Sequence, residues 1–333
     1  MVKYIVFFII LSSITHISYG QDVFFTQVLP NPYIINPAYA GYEGRSTFAL
    51  THRRQWTGIE DSPVTTNFNY HIPFLSGVNL GVNVTQDQGG VFKTSSGMIT
   101  GGYSLQLDWY HFLSFGLSIG GGNTALDFTE GVNINDPALG NVLDNSSFLD
   151  GNFGIAYHYH GINLGITLPH LFTRPIYSTE SFGLGDFDAL QNFIVNLDYL
   201  FYFSGGDHAF QPYILYRSFP EYSPQFEAGG VFHINHLLWI GAAYRDQFGY
   251  AGYLGLKVQD LTIGYAYDMS STSINNVNLS THEIQLTFSI GQKSAWTEQY
   301  STFLSSQQIE RPAKAEPPTK EQSPRFRRGV QYD

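Results

Sequence analysis

The 333 residues are 43% hydrophobic and 16% aromatic but only 13% charged, with 27 acidic against 16 basic side chains and no cysteine. A chain without cysteine has no lipid-attachment thiol, no disulfide and no cysteine-based metal site. With a net charge of −11 no nucleic-acid partner is expected, and no uninterrupted apolar run reaches the ~20 residues of a membrane-spanning helix.

Residues 1–20 have the form of a secretory signal: Lys3, an apolar run from Tyr4 to Leu11, then Ser18-Tyr19-Gly20 with small side chains where a signal peptidase reads. The mature chain is expected to start at Gln21. Residues 21–44 then read as an irregular segment. Its two Asn-Pro pairs, Asn31-Pro32 and Asn36-Pro37, stand five residues apart. Each proline pushes the residue before it into extended or turn geometry and denies the segment a regular helix. Phe24, Phe25, Leu29, Tyr33, Ile34 and Ile35 make the segment too apolar to hang in water. It is expected to pack against or inside the periplasmic mouth of whatever follows.

From residue 45 to 291 one pattern recurs: eight to twelve residues in which apolar side chains alternate strictly with small or polar ones. Gly77 to Thr85, Gly161 to Leu168 and His282 to Ile290 are the clearest copies. Such a run is an extended strand with one apolar and one polar face. A secreted β-sandwich or propeller would alternate too, so the phase of the charges decides. Arg53, Asp198, Arg217, Glu227, Arg245, Lys257, Asp268 and Glu283 all fall on the polar phase. A charge-free apolar phase suits a lipid-facing wall, where an ionised group at mid-membrane costs roughly 2–4 kcal/mol. Aromatic residues gather at strand ends, among them Trp109, Tyr110, Phe112, Tyr199, Phe201, Trp239, Tyr265 and Tyr267, as interfacial girdles require. The expected fold is all-β: a transmembrane, antiparallel outer-membrane β-barrel of about fourteen strands.

The strands are placed near 45–53, 63–71, 77–85, 95–107, 112–120, 148–158, 161–168, 190–203, 208–218, 223–233, 236–245, 248–259, 261–268 and 281–291. Their links alternate between very short ones and longer ones at 54–62, 86–94, 121–147, 169–189 and 269–280. Short periplasmic turns and long external loops are the rule in such barrels. The even strand count and this rhythm put both termini in the periplasm. After Gly291 the composition turns to Gln, Ser, Glu, Pro, Lys and Arg, so 292–333 is expected to be a disordered periplasmic tail. Residues 21–291 hold 8 basic and 22 acidic side chains and the tail 7 and 5, which makes the barrel acidic and the tail mildly basic. That tail reads as a solvated linker, with contact to periplasmic partners as the alternative.

Chemistry is sparse. His158-Tyr159-His160, His233 and His236 fall at expected turns, where a His-x-His pair is either a metal ligand or a polar turn. No carboxylate lies near them in sequence, no nucleophile elbow is identified, and no enzymatic activity, metal or cofactor is expected. The loop from Asp127 to Asp150, with Glu130, Asp136 and Asp144, is rich in oxygen ligands for Ca²⁺ but fits no EF-hand spacing. The lumen-phase charges either line a channel or pair with one another and with 21–41 to form a plug; the apolar entry segment favours the plug.

Two stretches carry a family signature. Gln21-Asp22-Val23-Phe24-Phe25-Thr26-Gln27 leads into Asn31-Pro32 and then Asn36-Pro37-Ala38-Tyr39-Ala40-Gly41. After the first strand comes Arg53-Arg54-Gln55-Trp56-Thr57-Gly58, with Pro63 beyond. These resemble the PorP/SprF family of the Bacteroidota type IX secretion and gliding-motility system, whose members look like QDPxFSQYxxNPxxxNPAYAG, a strand, then RxQWxGxxGAPxTxxxS. Here Leu29-Pro30 and Asp61-Ser62-Pro63 depart from the pattern, and the tail beyond Trp296 has no counterpart. The resemblance implies a non-enzymatic outer-membrane partner of type IX translocon or periplasmic components. Its cargo would be a secreted surface adhesin with a type B C-terminal domain. Asn31, Pro32, Asn36, Pro37, Ala38, Tyr39, Gly41, Arg54, Gln55, Trp56 and Pro63 are the motif positions and so the partner-binding candidates. A porin or transport channel for small or hydrophobic solutes is the alternative.

Overall fold

In lipid every backbone N–H and C=O must find its partner within the protein, and a strand meets that demand only when both of its edges are paired. The computed structural model describes residues 24–59, 61–108, 110–126, 147–171, 174–175, 192–219, 222–246, 248–274, 277–292 and 303. Among them the strands are β1 (Ser46–Thr57), β2 (Val64–Leu75), β3 (Val78–Gly89), β4 (Phe92–Gln106), β5 (His111–Leu126), β6 (Ser147–Tyr159) and β7 (Ile162–Leu168). Next come β8 (Phe193–Tyr199, continued past Leu200 by Phe201–Phe203), β9 (His208–Phe219), β10 (Tyr222–Ile234) and β11 (Leu238–Arg245). The last three are β12 (Gly249–Val258), β13 (Leu261–Ile274) and β14 (Val277–Ile290). Arg174–Pro175 adds two bridges to β6 beyond the end of β7. Each strand pairs antiparallel with the next, and β1 pairs with β14 in register Phe48↔Phe288 to Arg53↔Glu283. The result is a closed barrel of 14 staves.

The two faces differ as the alternation demands. Ile99, Leu254 and Ile284 stand outward, Ile99 with 71% of its surface exposed. Among the inward side chains Thr51, Asn69, Thr100, Asp198, Glu227 and Gln285 are buried. All eight charges assigned to the polar phase are buried or half-buried inside the wall. Among the described residues no helix is long and apolar enough to cross a membrane.

The near rim carries both ends of the barrel chain and the links between β2 and β3, β4 and β5, β6 and β7, β8 and β9, β10 and β11, and β12 and β13. These are tight turns, such as His160-Gly161 and Gln259-Asp260. In another, Asp108 accepts the backbone N–H groups of Tyr110 and His111, which holds its carboxyl below the usual range. At the far rim the expected long links 86–94 and 269–280 are replaced by strand. β3 and β4 run on to a turn at Gly90-Val91, and β13 and β14 pair out to Ile274↔Val277. The reason is that polar side chains such as Thr94 and Thr124 still pair across strands, and such cross-strand pairs stabilise a ladder without an alternating apolar face. The expected links 121–147 and 169–189 lie mostly outside the described residues.

Candidate functional site

A barrel of this size encloses a lumen that stays open unless something fills it. Here residues 24–45 fill it, and the two Asn-Pro pairs shape the filling. Each opens a single 3₁₀ turn, Pro32–Ile34 and Pro37–Tyr39. Proline suits the first helical position because its missing N–H would have no partner there. Asn36, fully buried, does two jobs. Its Oδ1 accepts the Ala38 N–H at 2.9 Å, and its Nδ2 donates to the carbonyls of Ile155 (3.2 Å) and Ile166 (3.4 Å) on β6 and β7. Asn31 is buried without a side-chain cap; its carbonyl accepts the Ile34 N–H at 3.2 Å.

The wall is cut away where the turns sit. A Cβ at Gly116 of β5 would strike the Pro37 carbonyl and the Ala38 nitrogen, and one at Gly154 of β6 would strike Asn36 Oδ1. The Tyr33 hydroxyl reaches Thr100 Oγ1 at 2.7 Å. The Tyr39 hydroxyl accepts from Asn196 Nδ2 at 3.0 Å, and its ring stands edge-on to Tyr42, which stacks on His158. Gly41, at φ +72°, donates its N–H to His71 Nδ1 at 3.1 Å before the chain enters β1.

On the opposite side of the lumen the segment is held by charge. The Glu283 carboxylate accepts the backbone N–H of Thr26 and of Gln27, each at 2.8 Å. Arg53 donates to Glu283 (3.1 Å), Asp268 (2.8 Å) and the Thr26 hydroxyl (2.9 Å). The Thr26 hydroxyl donates in turn to Asp268. A second cluster adjoins it: Glu227 accepts from Arg245 Nε (2.7 Å), Arg217 Nη1 (3.4 Å) and the Tyr213 hydroxyl (2.8 Å). Arg245 Nη1, 3.7 Å from Asp268, joins the two. Three arginines balance three carboxylates, so the formal charge of these two clusters sums to zero. Phe24 lies above this layer with Arg217 Cζ 5.1 Å from its ring centre, against Phe219 at the end of β9 and Phe248 between β11 and β12.

From the near-rim side, Phe303 is buried in the lumen edge-on to His233 (4.8 Å) and Trp239 (5.4 Å). Of the tail expected to be disordered, only Gln292 and Phe303 are among the described residues.

The motif residues divide into two groups. Asn31, Pro32, Asn36, Pro37, Ala38, Tyr39 and Gly41 are inside; Arg54, Gln55, Trp56 and Pro63 are at the far rim. Arg54 is exposed, with its Nε on Ser62 Oγ at 3.2 Å. The Gln55 N–H reaches the Pro63 carbonyl at 2.8 Å, which closes the loop between β1 and β2. Trp56 has φ +52° where the register of β1 against β14 shifts. A bulky residue in that region is strained by ~1–3 kcal/mol, a feature that clusters at functional positions. With Phe24, Arg245 and Phe248 it lines a cavity of about 40 Å³.

Other candidates do not assemble. His158 is inside on Tyr42, whereas His160, at φ +54°, stacks on Tyr110 at the near rim, so the His-x-His pair points two ways. Asp150 meets His170 at 2.5 Å, and the acidic loop from Asp127 lies outside the described residues apart from its last four positions, which belong to β6. Among the described residues no three His, Asp or Glu side chains are arranged to hold a metal. One string escaped the sequence reading: Gly116-Leu117-Ser118-Ile119-Gly120 has the Gly-x-Ser-x-Gly spacing of a nucleophile elbow. That spacing works on a sharp strand-to-helix turn. Here it is mid-strand in β5, and Ser118 Oγ is bonded to Thr100 at 2.6 Å beneath Tyr33. Thr26, Gln27 and Glu283 were missed as a clamp because only the closed barrel brings residues more than 250 positions apart together.

Among solved structures the chain is similar to the CymD monoaromatic hydrocarbon channel (12% identity, 80% of this chain and 94% of that one, TM-score 0.48). It is also similar to the Pseudomonas putida toluene transporter TodX (10%, 80% and 93%, TM-score 0.42) and to the Acinetobacter baumannii outer membrane protein Omp33 (8%, 74% and 100%, TM-score 0.42). No curated protein matches. The model of the type IX secretion system membrane proteins PorP/SprF matches residues 17–288, and the chain belongs to that family.

Proposed function

We propose that this outer-membrane barrel is a non-enzymatic adaptor of the type IX secretion system. It binds, and helps secrete or anchor, one surface adhesin with a type B C-terminal domain. The near rim with its tight turns faces the periplasm and the translocon, and the far rim faces outward. The observation that carries this reading is the occupied lumen: a segment bonded to the wall on both sides favours a plug over a channel and leaves the rims as the working surfaces. At the far rim, Arg54 and Trp56 are of the types that dominate protein interfaces, and strain at Trp56 supports a role beyond the fold. Family membership supports the cargo class.

The test is deletion of the gene followed by a count of surface proteins and by purification of the barrel from native membranes. The adaptor predicts that one adhesin is lost from the surface while general secretion continues, and that this adhesin copurifies with the barrel. A channel predicts slower growth on one nutrient with the surface proteins intact, and that pattern would overturn the proposal.

A further inference from the structure

We infer that the lumen carries a socket for an aromatic side chain, that Phe303 is its occupant, and that filling the socket tightens the clamp on the entry segment. This holds whichever rim faces the periplasm.

The socket is built into the inward face of β11 to β13, where a water-filled barrel would carry polar side chains. Here that face is stripped down. Trp239 of β11, Gly255 of β12 and Gly264 of β13 form one row across the strands. A Cβ at Gly255 would strike the indole ring, so the missing side chain is what lets Trp239 lie against the wall. Ala243, Ala251 and Ala266 belong to the same buried cluster and keep it shallow. Trp239 is the largest of the fully buried side chains among the described residues. Phe303 covers it. Its ring stands edge-on to the indole, 5.4 Å between centres and 86° between planes, and to His233 at 4.8 Å and 69°. Tilted, edge-on contacts at this range are the arrangement aromatic rings prefer. Leu29 of the entry segment packs on the same cluster.

One further missing side chain connects the socket to the clamp. A Cβ at Gly264 would strike Gln27 Oε1 and come within 3.3 Å of Trp239 Cζ2, so the Gln27 amide and the indole lie over the same bare Cα. Each has a buried atom without a hydrogen-bond partner among the described residues: Gln27 Oε1 and Trp239 Nε1. The first is an acceptor and the second a donor. A buried polar group left unpaired is costly, and a small turn of the amide toward the indole satisfies both. Gln27 is also the residue whose backbone N–H is held by Glu283 at 2.8 Å. Phe303 therefore fixes the indole, the indole fixes the Gln27 side chain, and the grip of Glu283 is stiffened from the near rim.

The test compares full-length Phe303→Ala with the parent barrel, both shown to be folded by heat-modifiable gel mobility. Amide exchange at Thr26 and Gln27 is expected to rise about tenfold, the size of a coupling carried through packed side chains. Exchange at Ala38 and Gly41, whose N–H groups are held by Asn36 and His71 on the other side of the lumen, is expected to stay as it was. Unchanged exchange at Thr26 and Gln27 would overturn the inference. Equal acceleration at all four would overturn it too, because Phe303 would then be a general support. A double-mutant cycle reads the link through Trp239: Phe303→Ala and Gln27→Ala together are expected to lower the melting temperature by less than the sum of the two alone. Additive shifts would show that the socket does not act on the clamp.

Discussion

The two sides of the lumen hold the same segment by different means. On the side of β1 and β9 to β14, Glu283 grips a short stretch through its backbone, within a layer of three arginines and three carboxylates. On the side of β2 to β8 the grip is neutral: amides, hydroxyls and stacked rings hold two 3₁₀ turns in a seat made by missing side chains. Backbone N–H groups left unpaired in a dry lumen cost about 1–3 kcal/mol each, and an extended stretch without internal hydrogen bonds has to find acceptors in the wall. Turns satisfy part of their own backbone, so the wall opposite them needs shape more than charge. The difference teaches where the segment is anchored most firmly, which is at its start.

Removing Glu283 tests the charged side most severely. Glu283→Ala strips two backbone donors of their acceptor and leaves Arg53 with an excess of buried charge, for an expected loss of about 3–5 kcal/mol. Thermal unfolding in detergent reads this directly, and planar-bilayer recording should show more conductance than the parent barrel gives. A variant that is both stable and closed would mean that the clamp is not what holds the plug.

Gly116→Ala probes the neutral side by filling the seat. The new methyl meets backbone atoms of Pro37 and Ala38 that cannot rotate away, and overpacking of this kind costs roughly 1–3 kcal/mol. Amide exchange over residues 31–41 should rise while exchange at Thr26 and Gln27 stays slow. Equal acceleration at both would show that the two grips are one cooperative unit.

Asn36→Ala is the milder version, with an expected cost of about 1–2 kcal/mol from a lost cap and two lost bonds to wall carbonyls. Asn36→Asp keeps the cap, loses the donors and buries a carboxyl against two carbonyls, so the gap in melting temperature between the two variants measures what the cap contributes, less the cost of burying that carboxyl.

The smallest effect on stability is expected at the rim. Trp56→Gly gives up side-chain contacts but relieves a positive φ worth ~1–2 kcal/mol, so the melting temperature should barely move. Surface retention of the adhesin should fall nonetheless. Unchanged retention would remove Trp56 from the binding surface.

Much of this was visible along the chain. Strict alternation and the phase of Arg53, Glu227 and Glu283 marked the wall and its inner face, because a strand's two faces are set by neighbours in sequence. Asn36-Pro37 announced a turn for the same local reason. The string at Gly116 to Gly120 misleads, because a five-residue spacing says nothing of whether the backbone turns there. Expected links at 86–94 and 269–280 turned out to be mostly strand, since polar ladders leave no apolar period to read.

Class, strand number and the apolar entry segment were thus determined by the sequence alone, through local periodicity and composition. Which charges meet, that Glu283 accepts from residues at the other end of the chain, that Phe303 returns to Trp239, and that the segment runs from one rim to the other were decided only by the closed barrel. These are contacts between residues far apart in sequence, and closure is what brings β14 beside β1 and forces both to share one lumen with the chain that precedes them.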